Sequence, residues 1–315
     1  MQTQTIGTTG METTRMAYGL GRVLGMNWRT RDKVTDEEFD RAVAAVLTAY
    51  EVGIRCFDNA DIYCRGVSEM VMGEALRRMP GMRDEVTIIT KCSSVQPLHP
   101  NPGVSVWYDQ SAAHIIESVE GSLQRMGIER VDMLLLHFPD ALWNPHEVAE
   151  AFRILLAQGK VRHFGVSNFK PSQVAALARW CDVPLVANEV EVSLSNLDTI
   201  RDGTLDQCYE RQMTPIAYGP LDIGRLVSEK AVKPEDPKRP IYERLWPALD
   251  RSAAEHGVSR TAIAIAWLLA HPIKMLPIIG AATLERIRDA ATAFDVDMGR
   301  EEWYRLFWAA GGWSK

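Results

Sequence analysis

The chain holds 315 residues, 46% hydrophobic and 24% charged, the composition of an ordinary soluble protein with enough apolar residues for a large core. Its net charge of -6 and pI near 5.7 argue against a general nucleic-acid binder, which needs a basic face to neutralise phosphates. The five cysteines, Cys56, Cys64, Cys92, Cys181 and Cys208, form no C-x-x-C pair, so neither a zinc cluster nor a disulfide framework is indicated and free thiols in a reducing cytoplasm fit best.

The N-terminus carries no basic stretch followed by an apolar one, and the longest apolar runs, such as Ala262 to Ala270, are too short to span a bilayer. About fifteen Thr- and Gly-rich residues suggest an opening hairpin, and Met16 to Val23 reads as a first strand. Gly19-Leu20-Gly21-Arg22-Val23-Leu24-Gly25 imitates a dinucleotide fingerprint, but that motif needs its glycines to open a helix directly and an acidic residue about twenty positions later. Here the helix begins only at Thr35, where Thr35-x-x-Glu38 is a capping box. Phe39, Val43, Val46, Leu47 and Tyr50 then recur at helical spacing.

The next unit is Ile54 to Phe57 as a buried strand, Asp58 at its end, Tyr63 in the following loop, and a helix that Ser68 caps and that runs through Leu76. Strands are expected at Val86 to Thr90, Val131 to Leu136, Val161 to Val166, Val183 to Asn188, Met213 to Tyr218 and Met275 to Ile279. Helices are expected at Asp109 to Met126, from Pro145 to before Gly159, and at Pro171 to Trp180, Ser259 to Ala270, Leu284 to Ala293 and Arg300 to Ala309; Thr204 to Gln212 joins two strands. Eight strand–helix units of about 20 to 40 residues predict an α/β protein, a (β/α)8 TIM barrel with an N-terminal hairpin and an extra C-terminal helix, read as one domain over residues 1–315. Chemistry in such a barrel sits at the C-terminal ends of the strands.

Those ends bear Asp58, Lys91 and His137, with Tyr63 in the loop after Asp58. A free tyrosine titrates near about 10 and holds its proton too tightly to exchange it at neutral pH. An adjacent Lys91 ammonium favours the phenolate, Asp58 keeps Lys91 charged, and His137 can orient a substrate oxygen. Such a set polarises a carbonyl and delivers a proton to the alkoxide formed when hydride reaches carbon. The hydride must come from a cofactor.

At these residues the chain resembles the aldo-keto reductases. GIRCFDNADIY…SEMVMGEAL, ITKC, LLLHFPD, GKVRHFGVSNF and PIAYGPL stand in the family's order across roughly residues 16 to 295, and LLLHFPD, GKVRHFGVSNF and DGTLDQ look most like a bacterial subgroup of general oxidoreductases. The resemblance implies a catalytic tetrad of Asp58, Tyr63, Lys91 and His137, with Tyr63 as general acid in reduction and general base in oxidation. It implies that Ser167 and Asn168 hydrogen-bond the nicotinamide carboxamide and that the ring stacks on Tyr218. Leu221, Gly224 and Arg225 would lie in the loop around the pyrophosphate, and Gly280 and Arg286 at the adenosine 2′-phosphate, so NADP is the expected cofactor, with NAD the alternative.

The departures are informative. Glu189 stands where the family usually places a glutamine against the carboxamide, and a carboxylate accepts from an amide but cannot donate. Gly280 and Ala281 replace a common Lys and Ser, Ala290 an asparagine, Cys64 a glycine and Gly219 a serine. Cys64 reads as an ordinary packed thiol. Trp28, Trp107 and Trp143 fall in loops after strands and either line an apolar substrate pocket or simply pack. Leu221 to Pro240 reads as a flap over the cofactor. No metal site is expected. The expected partner is a small carbonyl compound, sugar or alcohol; nucleic acid and membrane are not expected. Two other readings stay open: a cofactor-binding regulatory subunit with slow turnover, and a biosynthetic enzyme running a redox-neutral epimerisation or elimination.

Overall fold

A computed structural model describes residues 1–25, 34–96 and 106–313. The chain opens with an antiparallel hairpin of β1 (Thr3–Thr5) and β2 (Glu12–Thr14). There follow β3 (Ala17–Gly19), α1 (Asp36–Glu51), β4 (Cys56–Asp58), α2 (Val67–Arg78), α3 (Met82–Glu85) and β5 (Thr87–Cys92). A second small hairpin, β6 (Ser94–Val95) with β7 (Trp107–Tyr108), precedes α4 (Ala112–Met126). Then come β8 (Val131–Leu136), α5 (Pro145–Ala157), β9 (Val161–Ser167), α6 (Pro171–Trp180) and β10 (Leu185–Glu191). The helices α7 (Asp198–Arg201) and α8 (Thr204–Glu210) lead to β11 (Thr214–Tyr218). The chain finishes with α9 (Arg239–His256), α10 (Arg260–Leu269), β12 (Leu276–Ile279), α11 (Leu284–Ala291) and α12 (Arg300–Ala309).

Strands β3, β4, β5, β8, β9, β10, β11 and β12 pair in that order, every pair parallel, and β12 closes back onto β3. The expected barrel, with its N-terminal hairpin and its helix α12, is therefore present. Parallel strands covered on both faces read as continuous apolar runs, and all six residues of β5 and of β8 are buried. Ala17, Cys56, Ile89, Met133, Leu135, Ala187, Ile216 and Leu276 fill the barrel interior, while Phe57, Ile88, Leu134, Leu136 and Val166 belong to the larger cluster with the helices. Burying one such side chain contributes about 1.5–3 kcal/mol. The opening hairpin is a plug. Ile6 is fully buried in the interior cluster, and Gly7, at φ +47, sits so close to β10 that a Cβ would lie 2.6 Å from the Val186 carbonyl oxygen.

Helix starts follow side-chain chemistry: Thr35, Ser111, Asn144, Ser259 and Thr283 each accept a backbone N–H of the first turn. Several expected boundaries shift. The first strand is only Ala17–Gly19, because the chain turns after Leu20. Ser68 is not a cap: Gly66 occupies that position at φ +88, and the Ser68 hydroxyl, inside the helix, donates to the Leu20 carbonyl. The 109–126 helix begins at Ala112, and residues 204–210 of the 204–212 connection are helical. The glycines of the false fingerprint serve packing. A Cβ on Gly19 would lie 2.6 Å from Ile278, and one on Gly21 would lie 3.2 Å from the Tyr63 ring. Among the described residues no helix is long and apolar enough to cross a membrane.

Candidate active site

The parallel barrel brings the strand ends together on one rim. Lys91, near the end of β5, is fully buried, and its Nζ donates to Asp58 Oδ1 at 2.5 Å, to the Asn59 carbonyl at 3.0 Å and to the Tyr63 hydroxyl at 3.3 Å. The Tyr63 ring meets His137 edge-on at 5.6 Å between centroids, and the backbone N–H of His137 donates to the Cys92 carbonyl. All four residues expected to form the tetrad thus converge. Glu189 of β10 joins them: 3% exposed, it brings Oε2 to 3.3 Å from Lys91 Nζ.

The electrostatics follow from burial around one cation. Burial pulls the Lys91 ammonium down, but Asp58, then Glu189 and Tyr63, outweigh it and hold the lysine charged. Burial, and after it the Lys91 charge, pushes His137 well below its ordinary range, so the imidazole is neutral. Tyr63 departs from the sequence expectation. Lys91 does favour the phenolate, but burial dominates and the Asp58 and Glu189 charges add to it, so the phenol rises. Burial raises Asp58 against the pull of Lys91. Glu189, farther from the ammonium, is pushed up to about 8 by burial and the Asp58 charge.

Beside this cluster, Asn168 Nδ2 donates to the His137 carbonyl and to Ser167 Oγ, and Tyr218 donates to Asn168 Oδ1 at 2.8 Å. The Ser167 hydroxyl and the Asn168 N–H both donate to the Glu189 carbonyl. Asn168 holds φ +62, a left-handed conformation that asparagine tolerates better than most residues. The four residues expected at the nicotinamide are therefore one connected group, and the Glu189 backbone anchors it while its side chain faces Lys91.

A supporting network went unread in the sequence. Tyr63 opens a tight turn, Tyr63–Gly66, in which Cys64 and Arg65 are left-handed. Behind it, fully buried Glu69 accepts from Thr90 at 2.6 Å and from Arg125 at 2.6 Å, and Gly66 leaves room for Arg125, which a Cβ would approach to 2.5 Å. The signal was present: Glu69 falls on the inner face of an amphipathic helix, where a charge needs a partner. Asp61 is pushed up to about 8, by burial first and then by the Glu69 charge, and its Oδ1 has no hydrogen-bond partner. A carboxyl raised in the folded state stabilises fully below its unfolded value and loses that contribution as pH rises through about 8. Asp61→Asn is therefore expected to melt about 2–4 °C above the parent at about pH 9 and level with it near about pH 4, measured by thermal denaturation.

The expected cofactor loop contains a buried acid. Asp222, at φ +45, accepts from Ser195 at 2.8 Å and from Tyr242, and Arg225 Nη1 lies 3.4 Å from it. Leu221 and Gly224 flank this turn and are half-buried. Gly280 is exposed with open space where a Cβ would be, and Arg286 is exposed on the first turn of α11. An exposed guanidinium in the first turn of a helix suits a phosphate. Trp28 lies outside the described residues. Trp107 is 42% exposed on the short β6–β7 hairpin, and Trp143 packs edge-on against Phe169. The five cysteines are buried, and among the described residues no group of His, Cys, Asp and Glu is placed to hold a metal.

Against known proteins, the family described as the Aldo/keto reductase family matches residues 19–306. The chain is 39% identical to the 6-dehydroglucose reductase of Agrobacterium fabrum, over 96% of each chain. It is 34% identical to the oxidoreductase YdhF of Escherichia coli, over 100% of this chain and 99% of that one. Among solved structures, a glycerol dehydrogenase from Gluconobacter oxydans superposes with a TM-score of 0.86 at 26% identity, covering 98% of this chain and 94% of the other.

Proposed function

The chain belongs to the aldo/keto reductase family, whose members interconvert carbonyls and alcohols with a nicotinamide cofactor, and from that premise we propose that it is an NADPH-dependent reductase of a small polyhydroxylated aldehyde or ketone. The observation that carries this reading is the contact chain from Tyr63 through the buried Lys91 to the buried Asp58, next to a neutral His137. Relatives named for 6-dehydroglucose and glycerol direct the choice of substrate class to sugars and their oxidised forms.

When bound, the reduced nicotinamide supplies the hydride. The protein does the rest. The uncharged His137 imidazole donates a hydrogen bond to the carbonyl oxygen and orients it. Tyr63 then gives its phenolic proton to that oxygen as negative charge develops there. Lys91 stabilises the phenolate left behind, and Asp58 fixes Lys91. Ser167, Asn168 and Tyr218 hold the nicotinamide end of the cofactor; Leu221, Gly224 and Arg225 border the pyrophosphate; Gly280 and Arg286 receive the 2′-phosphate.

The test is a stopped-flow panel of aldoses, sugar dialdehydes, simple aldehydes and ketones with NADPH and with NADH, following loss of reduced-nicotinamide absorbance. Fastest oxidation with NADPH and a sugar carbonyl is expected; tight cofactor binding without turnover on any carbonyl would favour the regulatory reading. Cofactor choice has its own test. Removing one charge-assisted phosphate contact costs about 1.5–3 kcal/mol, so Arg286→Ala is expected to weaken NADPH about 10–100-fold and leave NADH unchanged, by fluorescence titration. Equal loss for both cofactors would assign the arginine elsewhere.

A further inference from the structure

Two buried carboxyl groups face one buried ammonium in this site. Lys91 has three N–H donors, directed to Asp58, to the Asn59 carbonyl and to Tyr63. Glu189 Oε2 lies at ion-pair distance, 3.3 Å, from the same nitrogen, without a hydrogen bond of good geometry and farther out than Asp58 Oδ1 at 2.5 Å, so it is the weaker of the cation's two carboxyl partners. One carboxylate is enough to balance the Lys91 charge. A second ionised carboxylate would leave an excess negative charge among Lys91, Asp58 and Glu189, each at most 3% exposed, an arrangement that low-dielectric surroundings disfavour.

We propose that Glu189 is a positioning residue that acts through Lys91: as a neutral acid it leaves the ammonium free to support Tyr63, and on ionising it takes that support away and slows reduction. This rests on the reductase reading and deepens it. Titratable groups reach Glu189 from several neighbouring elements. Asp58 and Cys56 are on β4, Lys91 is on β5, Tyr63 lies in the turn after β4, and Tyr218 is on β11. Burial raises the Cys56 thiol and the Tyr218 phenol far out of the neutral range, and His137 is neutral, so none of these supplies a competing charge change there. Within this cluster the group that changes state between neutral and mildly alkaline pH is the Glu189 carboxyl, pushed up to about 8; Asp61, raised to a similar value, answers to Glu69 and Arg125 instead.

The size of the effect follows from distance. Glu189 Oε2 and the Tyr63 hydroxyl each lie 3.3 Å from Lys91 Nζ and are therefore within about 7 Å of each other. A unit charge appearing at that range makes the phenol a weaker acid, and with partial proton transfer in the transition state the rate falls by about tenfold. The parent enzyme should reduce its substrate on a plateau near neutrality and lose rate as pH rises through about 8. In Glu189→Gln, which cannot ionise, that limb should vanish when each profile is normalised to its own plateau.

A second readout is independent of turnover. In an Asp61→Asn background, which removes the other carboxyl raised to about 8, infrared spectra of the protein without cofactor should contain the C=O stretch of a protonated carboxylic acid that is present near neutral pH, fades on alkaline titration, and is missing once Glu189→Gln is added. Absence of the band from the Asp61→Asn protein, its survival once Glu189→Gln is added, which would put the proton on Asp58, or an identical alkaline limb of the rate in the parent and Glu189→Gln would each overturn the proposal. If the parent reduces no carbonyl at all, the reductase reading fails, and the infrared arm still decides where the proton sits.

Discussion

Tyr63→Phe is expected to lower the rate of carbonyl reduction by about 10²–10⁴-fold, the usual worth of a positioned general acid. The substitution removes one oxygen whose protein contact is the 3.3 Å hydrogen bond from Lys91, and the ring keeps its edge-on packing against His137 and its room beside Gly21. Fold and cofactor affinity should therefore stay close to the parent's. Single-turnover absorbance measures the chemical step and fluorescence titration measures NADPH binding. A variant that binds NADPH as tightly as the parent but transfers hydride slowly places the loss in proton delivery. Hydride transfer at the parental rate would remove Tyr63 from the reaction and with it the proposed mechanism.

The barrel was legible in the sequence because its signals are local. Helix caps such as Thr35 and Ser259 act within one turn, and the apolar run of β8 is visible without knowing what covers it. Asp58, Lys91 and His137 could be found because each stands at the end of such a run. What escaped was non-local or disguised. The longest described helix, α9, went unread because Pro240 and Pro247 look like breakers. Pro240 lies in the first turn, where its missing N–H costs nothing, and Pro247 is on the exposed face, where water can satisfy the carbonyl it leaves free. Ile241, Tyr242, Leu245, Trp246 and Leu249 carried the helical spacing throughout. The Tyr63 phenol rises where an adjacent lysine suggested a fall, because the depth of burial is set by the whole rim. The orientation of Glu189 toward Lys91 was hidden for a similar reason: β10 and β5 are not neighbours in the sheet, and only closure of the barrel brings these side chains together.

Lys91→Met should be inactive and, unlike Tyr63→Phe, unstable in a pH-dependent way. Methionine fills much of the lysine stem's volume, so the packing loss is small. The cost lies in what remains, since Asp58 and Glu189 are buried without their cation, and removing one partner of a buried pair typically destabilises by about 3–5 kcal/mol. The sign of the pH dependence follows from which protons the folded state holds. In the parent, Lys91 is raised above its unfolded value, so its contribution is present at every pH below about 10.4. In the variant both carboxyls lose the charge that opposed their burial and rise further. Their neutral forms are compatible with the fold well below the unfolded carboxylate range, and the penalty grows as pH climbs through neutrality. Urea unfolding should find the deficit small near about pH 4 and close to its full value near about pH 8. Adding Asp58→Asn and Glu189→Gln to Lys91→Met removes every ionisable group of the cluster and should restore most of the lost stability at about pH 8 while leaving the enzyme inactive. A deficit independent of pH, or unrelieved in the triple variant, would mean that the lysine holds the rim by packing rather than by charge.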